Sequence, residues 1–495
     1  MNMNDDRPVD LTAIATRAMK QYGFEPRFSP PVLAEVAAIP PDALPASRRG
    51  VRDLTGLLWS SIDNWDSEDL DQIEFCERGP EGEILTRVAI ADVDLFVERE
   101  SATDRHAAHN GFSVYTGVVT YPMLPDPLSK GVSSLLPDGD RMTVVMEYAV
   151  LSDGSVRPGD LYPARVRNHA KLVYEEVGAW LEGTGEIPAL VRDTPGLEDQ
   201  LRLQLEAMRR LRKRRHEQGA LELDTVEAEP LVEDGVVRDL VVQRQNLARC
   251  LIEEFMVAAN GTLVAFLERA GLPMLQRVVR VPRYWDRIVA TAALYGETLP
   301  ADPDAKALAA FLLRRRAADR DRFPDLSLTV IKLLGPGEYV ALAPGEESDG
   351  HFSLAVTDYT HATAPNRRYP DLVNQRLVVS ILEGTPVPYS EDELVGLAAW
   401  LSDREKGIKK VERFVNKAVA AVLLQDRIGE VFDGLVTGAS PKGTWVRIIT
   451  PPVEGRVMRG EANLAVGDRV RVRLLGTDAY RGFIDFESIG VVDHA

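Results

Sequence analysis

The chain has 495 residues, 45% hydrophobic and 27% charged. That mix is globular, excludes a disordered chain or a fibre, and gives length for about three domains. The 58 Lys and Arg against 76 Asp and Glu leave a net charge of −18, which argues against a partner held by a general basic surface. Two cysteines, Cys76 and Cys250, cannot build a disulfide framework. A reducing compartment, the cytoplasm, is therefore expected, with no disulfide-linked partner. The start, Met1-Asn-Met-Asn-Asp-Asp, lacks the basic and apolar stretches of a signal peptide. No uninterrupted apolar run approaches the ~18 residues that span a bilayer, so no membrane role is expected.

Residues 1–50 read as a small helical module and linker. Two short helices fit 10–37, the first capped by Asp10 with Leu11, Ile14, Ala15 and Met19 at helical spacing. A helix-turn-helix and a plain helical hairpin both fit, and no basic recognition face is visible. Pro40, Pro41 and Pro45 mark the linker. Strand patterns follow at Leu54–Ile62, then at Ile73–Cys76 and Ile84–Ala91, paired through the turn Arg78–Gly82. Helical periodicity covers 171–182, 195–217, 245–270, 284–295, 303–319, 371–383 and 391–428. Val236–Val242 and Leu326–Leu333 read as strands between them. His106 and His109 lack a third metal ligand and read as surface residues; the arginine run 209–215 reads as a solvated helix end. The fold class is α+β, with one large domain over 51–428.

From Gly429 the pattern changes. Five short strands with glycine turns over 429–491 predict an OB-type barrel, a fold that commonly binds single-stranded nucleic acid. Residues 427–495 hold nine basic and nine acidic side chains, so the whole net charge lies before them. Arg469, Arg471 and Arg473 alternate along one strand and place three guanidinium groups on one face.

The most informative stretch is Ile62-Asp63-Asn-Trp-Asp66-Ser-Glu68-Asp69-Leu-Asp71-Gln72, with five carboxylates within nine residues. Such a run is either a solvated loop or a cluster that cations neutralise. A calcium loop is excluded, because its third position would be Trp65 and its glycine position Glu68. Oxygen ligands suit Mg²⁺, which can activate water against a phosphodiester.

This stretch resembles the acidic motif of the ribonuclease II/R (RNB) family of 3′→5′ exoribonucleases, I-D-x5-D-x-D-D. Asp63, Asp69 and Asp71 match its first three acids, and Gln72 departs from the fourth. An amide offers a neutral oxygen but no charge, and Asp66, Glu68 and Asp92 are nearby acids that could compensate. Further blocks follow in order: Ala89-Ile-Ala-Asp-Val93, Ser113-Val-Tyr115, Tyr121-Pro-Met-Leu-Pro125, Ala170-Lys-Leu-Val-Tyr174, Leu251-Ile-Glu253-Glu254-Phe-Met-Val-Ala-Ala-Asn260 and Tyr359-Thr-His-Ala-Thr-Ala-Pro365-Asn-Arg367-Arg368-Tyr369-Pro-Asp371-Leu. In the last, Ala364 and Asn366 stand where the family has Ser and Ile. The C-terminal barrel resembles the family's S1-type domain. The two cold-shock barrels usual in the family do not fit in the 50 residues ahead of the match.

The resemblance implies a hydrolytic, processive exoribonuclease that acts on single-stranded RNA, releases nucleoside 5′-monophosphates and works as a monomer. It implies one or two Mg²⁺ ions, with Mn²⁺ as a substitute, held by Asp63, Asp69, Asp71 and the amide of Gln72. Arg367 and Arg368 are expected at phosphate, Arg368 with a salt bridge to Asp371 or Glu254 as its other reading. Tyr115 is expected to stack on a base, and Tyr174, Glu253 and Glu254 to meet the terminal ribose. Glu412 is expected near the cleaved end, and Arg469, Arg471 and Arg473 along the RNA. Gln72 keeps open a non-catalytic RNA-binding regulator; a phosphodiesterase acting on DNA or short oligonucleotides is a third reading.

Overall fold

The computed structural model describes residues 9–40, 48–137, 139–224, 228–233, 236–242, 245–320, 322–441, 443–462 and 464–493. Eight strands are described before residue 174: β1 (Arg52–Asp53), β2 (Trp59–Asp63), β3 (Gln72–Arg78), β4 (Ile84–Ala91), β5 (Val114–Tyr115), β6 (Thr120–Tyr121), β7 (Asp140–Val150) and β8 (Val156–Val173). Six of them pair in the order β1-β8-β2-β3-β4-β7, while β5 and β6 form a separate ribbon. β8 also pairs with β7, so the ladder returns on itself. The length of β8 makes this possible: its first part pairs antiparallel with β7 and its last part parallel with β2. β3 and β4 pair as expected, from Gln72 opposite Ile90 to Arg78 opposite Ile84. β2 and β3 are joined at one register pair, Ser60 opposite Glu74.

Three expected elements differ. The first strand begins at Trp59, because Leu54 turns the chain: its carbonyl accepts from Leu57 N and Trp59 Nε1. The helix expected from 171 begins at Tyr174, since 171–173 are held in β8 against β2. Residues 326–333 are helical, within Phe323–Leu334. Phe323, Leu326, Val330 and Leu334 fall on one helical face and are buried, with Pro324 in the first turn where it costs nothing. The β-branched residues mimicked a strand, but the period is helical. This helix packs with Trp285–Leu294 and Ala305–Ala318 around a small apolar cluster of its own.

The helices Leu11–Gln21 and Pro30–Ala37 form as expected, and Asp10 accepts from Ala13 N at 2.8 Å. Both spend a face on the body. The first packs on the long helix Glu391–Leu424, and its Arg17 donates to the Tyr480 carbonyl of the C-terminal barrel at 2.9 Å. From the second, Glu35 accepts from the backbone of Ala102 and Thr103 at the start of Ala102–Asn110. On that helix His106 is buried, a correction to its expected surface place: it meets Glu25 at 3.2 Å and Asn110. Most of the expected linker lies outside the described residues. Leu247–Arg269 is long and apolar enough to span a bilayer, yet 72% of its most apolar stretch is buried in the protein.

The C-terminal strands Val431–Ser440, Gly443–Ile448, Glu454–Arg459, Arg469–Asp478 and Phe483–Asp493 close into a barrel, as an OB fold requires. Val470, Val472 and Leu474 point inward, and the intervening Arg469, Arg471 and Arg473 are exposed on its outer face.

The arginine run also does structural work. Glu222 receives His216 at 3.0 Å, Arg212 at 2.5 Å and Arg316 at 2.5 Å, tying the helix Leu197–Gln218 to Ala305–Ala318. These partners, His216 foremost, hold its carboxyl down to about 2. Because the folded value lies below the ordinary ~4.3, the stabilisation is present above pH ~4 and is lost as pH falls toward 2. Glu222→Gln is expected to cost about 2 kcal/mol at pH 7. In urea melts, the gap to the wild type should close as the pH approaches 2; a constant gap would disprove the cause.

Candidate active site

The acidic loop runs from the end of β2 to the start of β3, and the protein pins it closely. Asp63 folds back, its Oδ1 accepting from Asn64 N at 2.7 Å and Ser67 Oγ at 2.8 Å. Ser134 Oγ donates to the Glu68 carbonyl at 2.6 Å and accepts from Leu70 N at 3.0 Å. Lys171 Nζ holds the Trp65 carbonyl at 3.1 Å. The loop that carries 63, 69 and 71 is thus held by its own Asn64 and Ser67 and by groups from two other segments.

Asp71 is fully buried. Its Oδ1 accepts from Asn366 N and its Oδ2 from Arg367 Nε, each at 2.9 Å. Burial pushes its carboxyl up to about 7, against the pull of Arg367. Asp69 is also raised, by burial first, with the Asp63 charge adding and Arg367 opposing. The Arg367 guanidinium feels Asp71, Tyr115, Asp63 and Asp69 together, which holds it protonated. Only its Nε is spent on Asp71. Among the described residues its terminal nitrogens have no hydrogen-bond partner, and 37% of the side chain is exposed.

Arg368 differs. Its Nε and Nη2 pair with Asp371 at 2.9 and 2.6 Å, and Nη2 also meets Thr363 Oγ1. This is the salt bridge offered as its other reading. Tyr115 sits at the mouth, 45% exposed, with its hydroxyl donating to Asp69 Oδ2 at 3.3 Å. Trp65, in the acidic loop, is 76% exposed. Tyr174, half-buried, lies under Arg249, whose guanidinium is 4.4 Å from its ring centre. Burial and the charges of Asp63 and Glu74 raise its hydroxyl.

Other expected residues stand apart from this cluster. Glu254 is buried and clasped by Arg215 at 2.7 and 2.6 Å. Glu253 is exposed, shared by Arg215 at 2.9 Å and Gln245 at 3.2 Å. Glu412 is half-buried on the long helix. Of the barrel arginines, Arg471 lies 3.9 Å from Asp433 and Arg473 3.3 Å from Glu487.

Sequence reasoning missed Asn366, whose side chain accepts from Ser133 Oγ at 2.7 Å while its backbone holds Asp71. The polar departure at that position was its signal. It also missed Arg249, which bridges Asn64 at 3.2 Å and Glu175 at 2.8 Å. Glu74 was missed as well. It is buried, and among the described residues neither carboxylate oxygen has a hydrogen-bond partner; nor has Ser60 Oγ, its neighbour across the register. Such orphaned atoms ordinarily cost about 1–3 kcal/mol each. Burial raises the Glu74 carboxyl well above its ordinary range, and Asp63 adds to this.

The donor set is all oxygen, which suits a hard cation such as Mg²⁺. Among the described residues no three acidic, histidine or cysteine side chains converge enough to cage an ion alone. Mg²⁺ ordinarily keeps several waters and takes one or two carboxylates plus phosphate oxygens, so the arrangement fits that ion.

Residues 51–384 match the model of the RNB domain. The chain belongs to the RNB family. Residues 430–488 match the RNase II-type exonuclease C-terminal S1 domain. Similar curated proteins include ribonuclease R of Thermotoga maritima, 30% identical over 97% of this chain and 71% of its own length. Ribonuclease R of Escherichia coli is 30% identical over 99% of this chain and 63% of its own. Among solved structures, Mycoplasma genitalium RNase R in complex with ribose-methylated single-stranded RNA superposes with a TM-score of 0.87 at 23% identity, covering 97% of this chain and 78% of that one. Yeast Ssd1, a pseudonuclease, superposes at 0.69 with 17% identity, covering 94% and 59%. The RNB fold, with its mixed sheet, helical surround and C-terminal barrel, is therefore that of this chain.

Proposed function

We propose that this RNB chain is a Mg²⁺-dependent hydrolase that degrades single-stranded RNA processively from the 3′ end, releasing nucleoside 5′-monophosphates. Its working parts would be an RNB unit over 51–428 and an S1 unit over 429–491, acting as a monomer. The observation that carries the reading is Arg367, anchored through Nε to buried Asp71 with its terminal nitrogens unspent. A guanidinium so placed can pair two phosphate oxygens and steady charge as it develops.

Asp63, Asp69, Asp71 and the Gln72 amide would hold the ion. Bound Mg²⁺ supplies Lewis acidity, offsetting phosphate charge and easing the loss of a proton from water. Water oxygen attacks phosphorus and the bond to the 3′ oxygen of the preceding nucleotide breaks, leaving a shortened chain with a 3′ hydroxyl. Tyr115, and Trp65 with it, offer exposed rings on which bases stack. Tyr174 and Glu253 would read the ribose hydroxyl and Glu412 would line the path; Glu254 and Arg368 would act through Arg215 and Asp371, as positioning residues. The outward row Arg469, Arg471 and Arg473 would track the backbone.

Gln72 and the likeness to a pseudonuclease favour one second reading, an RNA-binding protein without cleavage. Incubation of 5′-labelled single-stranded RNA and matching DNA with Mg²⁺ separates the two. Loss of RNA to short end products and nucleoside 5′-monophosphates, with DNA intact, is expected. RNA that is bound but left whole would overturn hydrolysis.

A further inference from the structure

Gln72 leaves the acidic motif one charge short, and none of the acids considered from sequence makes it good. Asp92 is taken by Arg48, which reaches both its oxygens at 2.7 Å. Asp66 is exposed in the loop. Glu68 is exposed and lies 3.3 Å from Lys130.

Glu74 is different. It lies two residues beyond Gln72 in the same strand, so the two side chains leave one face of β3. It is 1% exposed, and among the described residues neither of its carboxylate oxygens has a hydrogen-bond partner. Directly opposite, the Ser60 hydroxyl is buried and equally without a partner. Three buried oxygens without a hydrogen-bond partner among the described residues thus share one face. Ser60 lies in β2, whose last residue, Asp63, is the first acid of the motif, so the chain runs from the Ser60–Glu74 pair directly into the acidic loop. β2 and β3 pair at Ser60 and Glu74 and no further toward the loop, which leaves that end of the ladder open beneath the acids. A buried oxygen set that lacks donors and stands beside a carboxylate cluster is what a cation completes.

We propose that Glu74 supplies to the divalent-ion site the carboxylate charge that Gln72 gives up. Acid and amide have exchanged places along one strand face, with the longer glutamate side chain making up the extra distance. The inference rests on the metal-dependent reading above.

The test is Mn²⁺ binding to the full chain without RNA, followed by electron paramagnetic resonance of the free ion. Asp63→Asn and Glu74→Gln should each weaken binding about 10-fold or more, the scale of losing a supporting ligand. Glu74→Gln should keep the wild-type circular dichroism spectrum, being isosteric. Adding Gln72→Asp to Glu74→Gln should return the affinity to within about threefold of wild type. Wild-type affinity in Glu74→Gln, or a double variant no tighter than the single, overturns the role of Glu74 while leaving the metal site standing. No Mn²⁺ binding by the wild type, or binding indifferent to Asp63→Asn, brings down the metal-dependent reading itself. If Glu74→Gln does not fold, Glu74→Asp takes its place: it keeps the charge but draws it back, and wild-type affinity there equally sinks the proposal.

Discussion

Asp71→Asn is expected to lower RNA degradation by about 10³-fold or more while leaving RNA affinity within about threefold. Asp71 is the most enclosed acid of the motif and lies where the two halves of the site meet, on the Asn366 amide and on Arg367. The amide side chain can still accept one of these bonds, but it has no charge to hold an ion or to balance the guanidinium. RNA is expected to be gripped mainly elsewhere, by exposed rings and the barrel, so binding survives. Measuring single-turnover decay and filter binding on one preparation checks both halves. Loss of binding in step with decay would show that Asp71 only holds the fold.

The same variant has a signature in stability. The folded carboxyl titrates near 7, above its ordinary ~3.9, because burial disfavours the charge. A raised carboxyl contributes stability that is full below the unfolded value and is lost as pH rises through the folded one. The metal-free wild type should therefore lose stability between about pH 4 and pH 7 that Asp71→Asn does not lose. Thermal midpoints in chelator across that range decide it, and parallel curves would exclude the titration of Asp71 as the cause.

What could be read in advance follows from how local each signal is. The acids 63, 69 and 71 share one loop, and the block 359–372 is one run of chain, so spacing alone exposed them. The contact that joins them spans 296 positions and left no trace in either stretch. Arg367 and Arg368 are equivalent as letters. The fold separates them, because Asp371 stands one helical turn from Arg368 and captures it. Likewise Glu253 and Glu254 read as a pair, yet the helix buries the second against Arg215 and leaves the first exposed, where it shares the same arginine with Gln245. Strand and helix were confused where one residue type served both, as at 326–333, and where a strand ran on into a helix, as at 171–174. Glu74 looked like an ordinary strand glutamate, since only the burial of its face shows that its charge is unpaired. The net charge of −18 points away from nucleic acid for a related reason: it sums over the surface, whereas the groups proposed to meet RNA are a few rings and guanidinium heads.

Arg367→Lys is expected to lower kcat by about 10²–10³-fold with a smaller change in KM, and Arg367→Ala by at least as much. Lysine keeps the charge but is a single point. It cannot hold Asp71 through one nitrogen while keeping two more for phosphate, as the anchored guanidinium is proposed to do. Arg368→Lys, by contrast, alters a pair closed on Asp371 and should act through folding, with a lower melting temperature and a modest loss in rate. The pH profile separates charge from shape. Arg367 is the main group pulling the Asp71 carboxyl down, so its removal in Arg367→Ala lets that carboxyl rise further. If the ionised form is the active one, the acidic limb of kcat/KM must move to higher pH in Arg367→Ala. It should move less in Arg367→Lys, where a positive charge remains. A limb that stays fixed in both variants would mean that Asp71 does not titrate in the working enzyme, and that Arg367 serves phosphate alone.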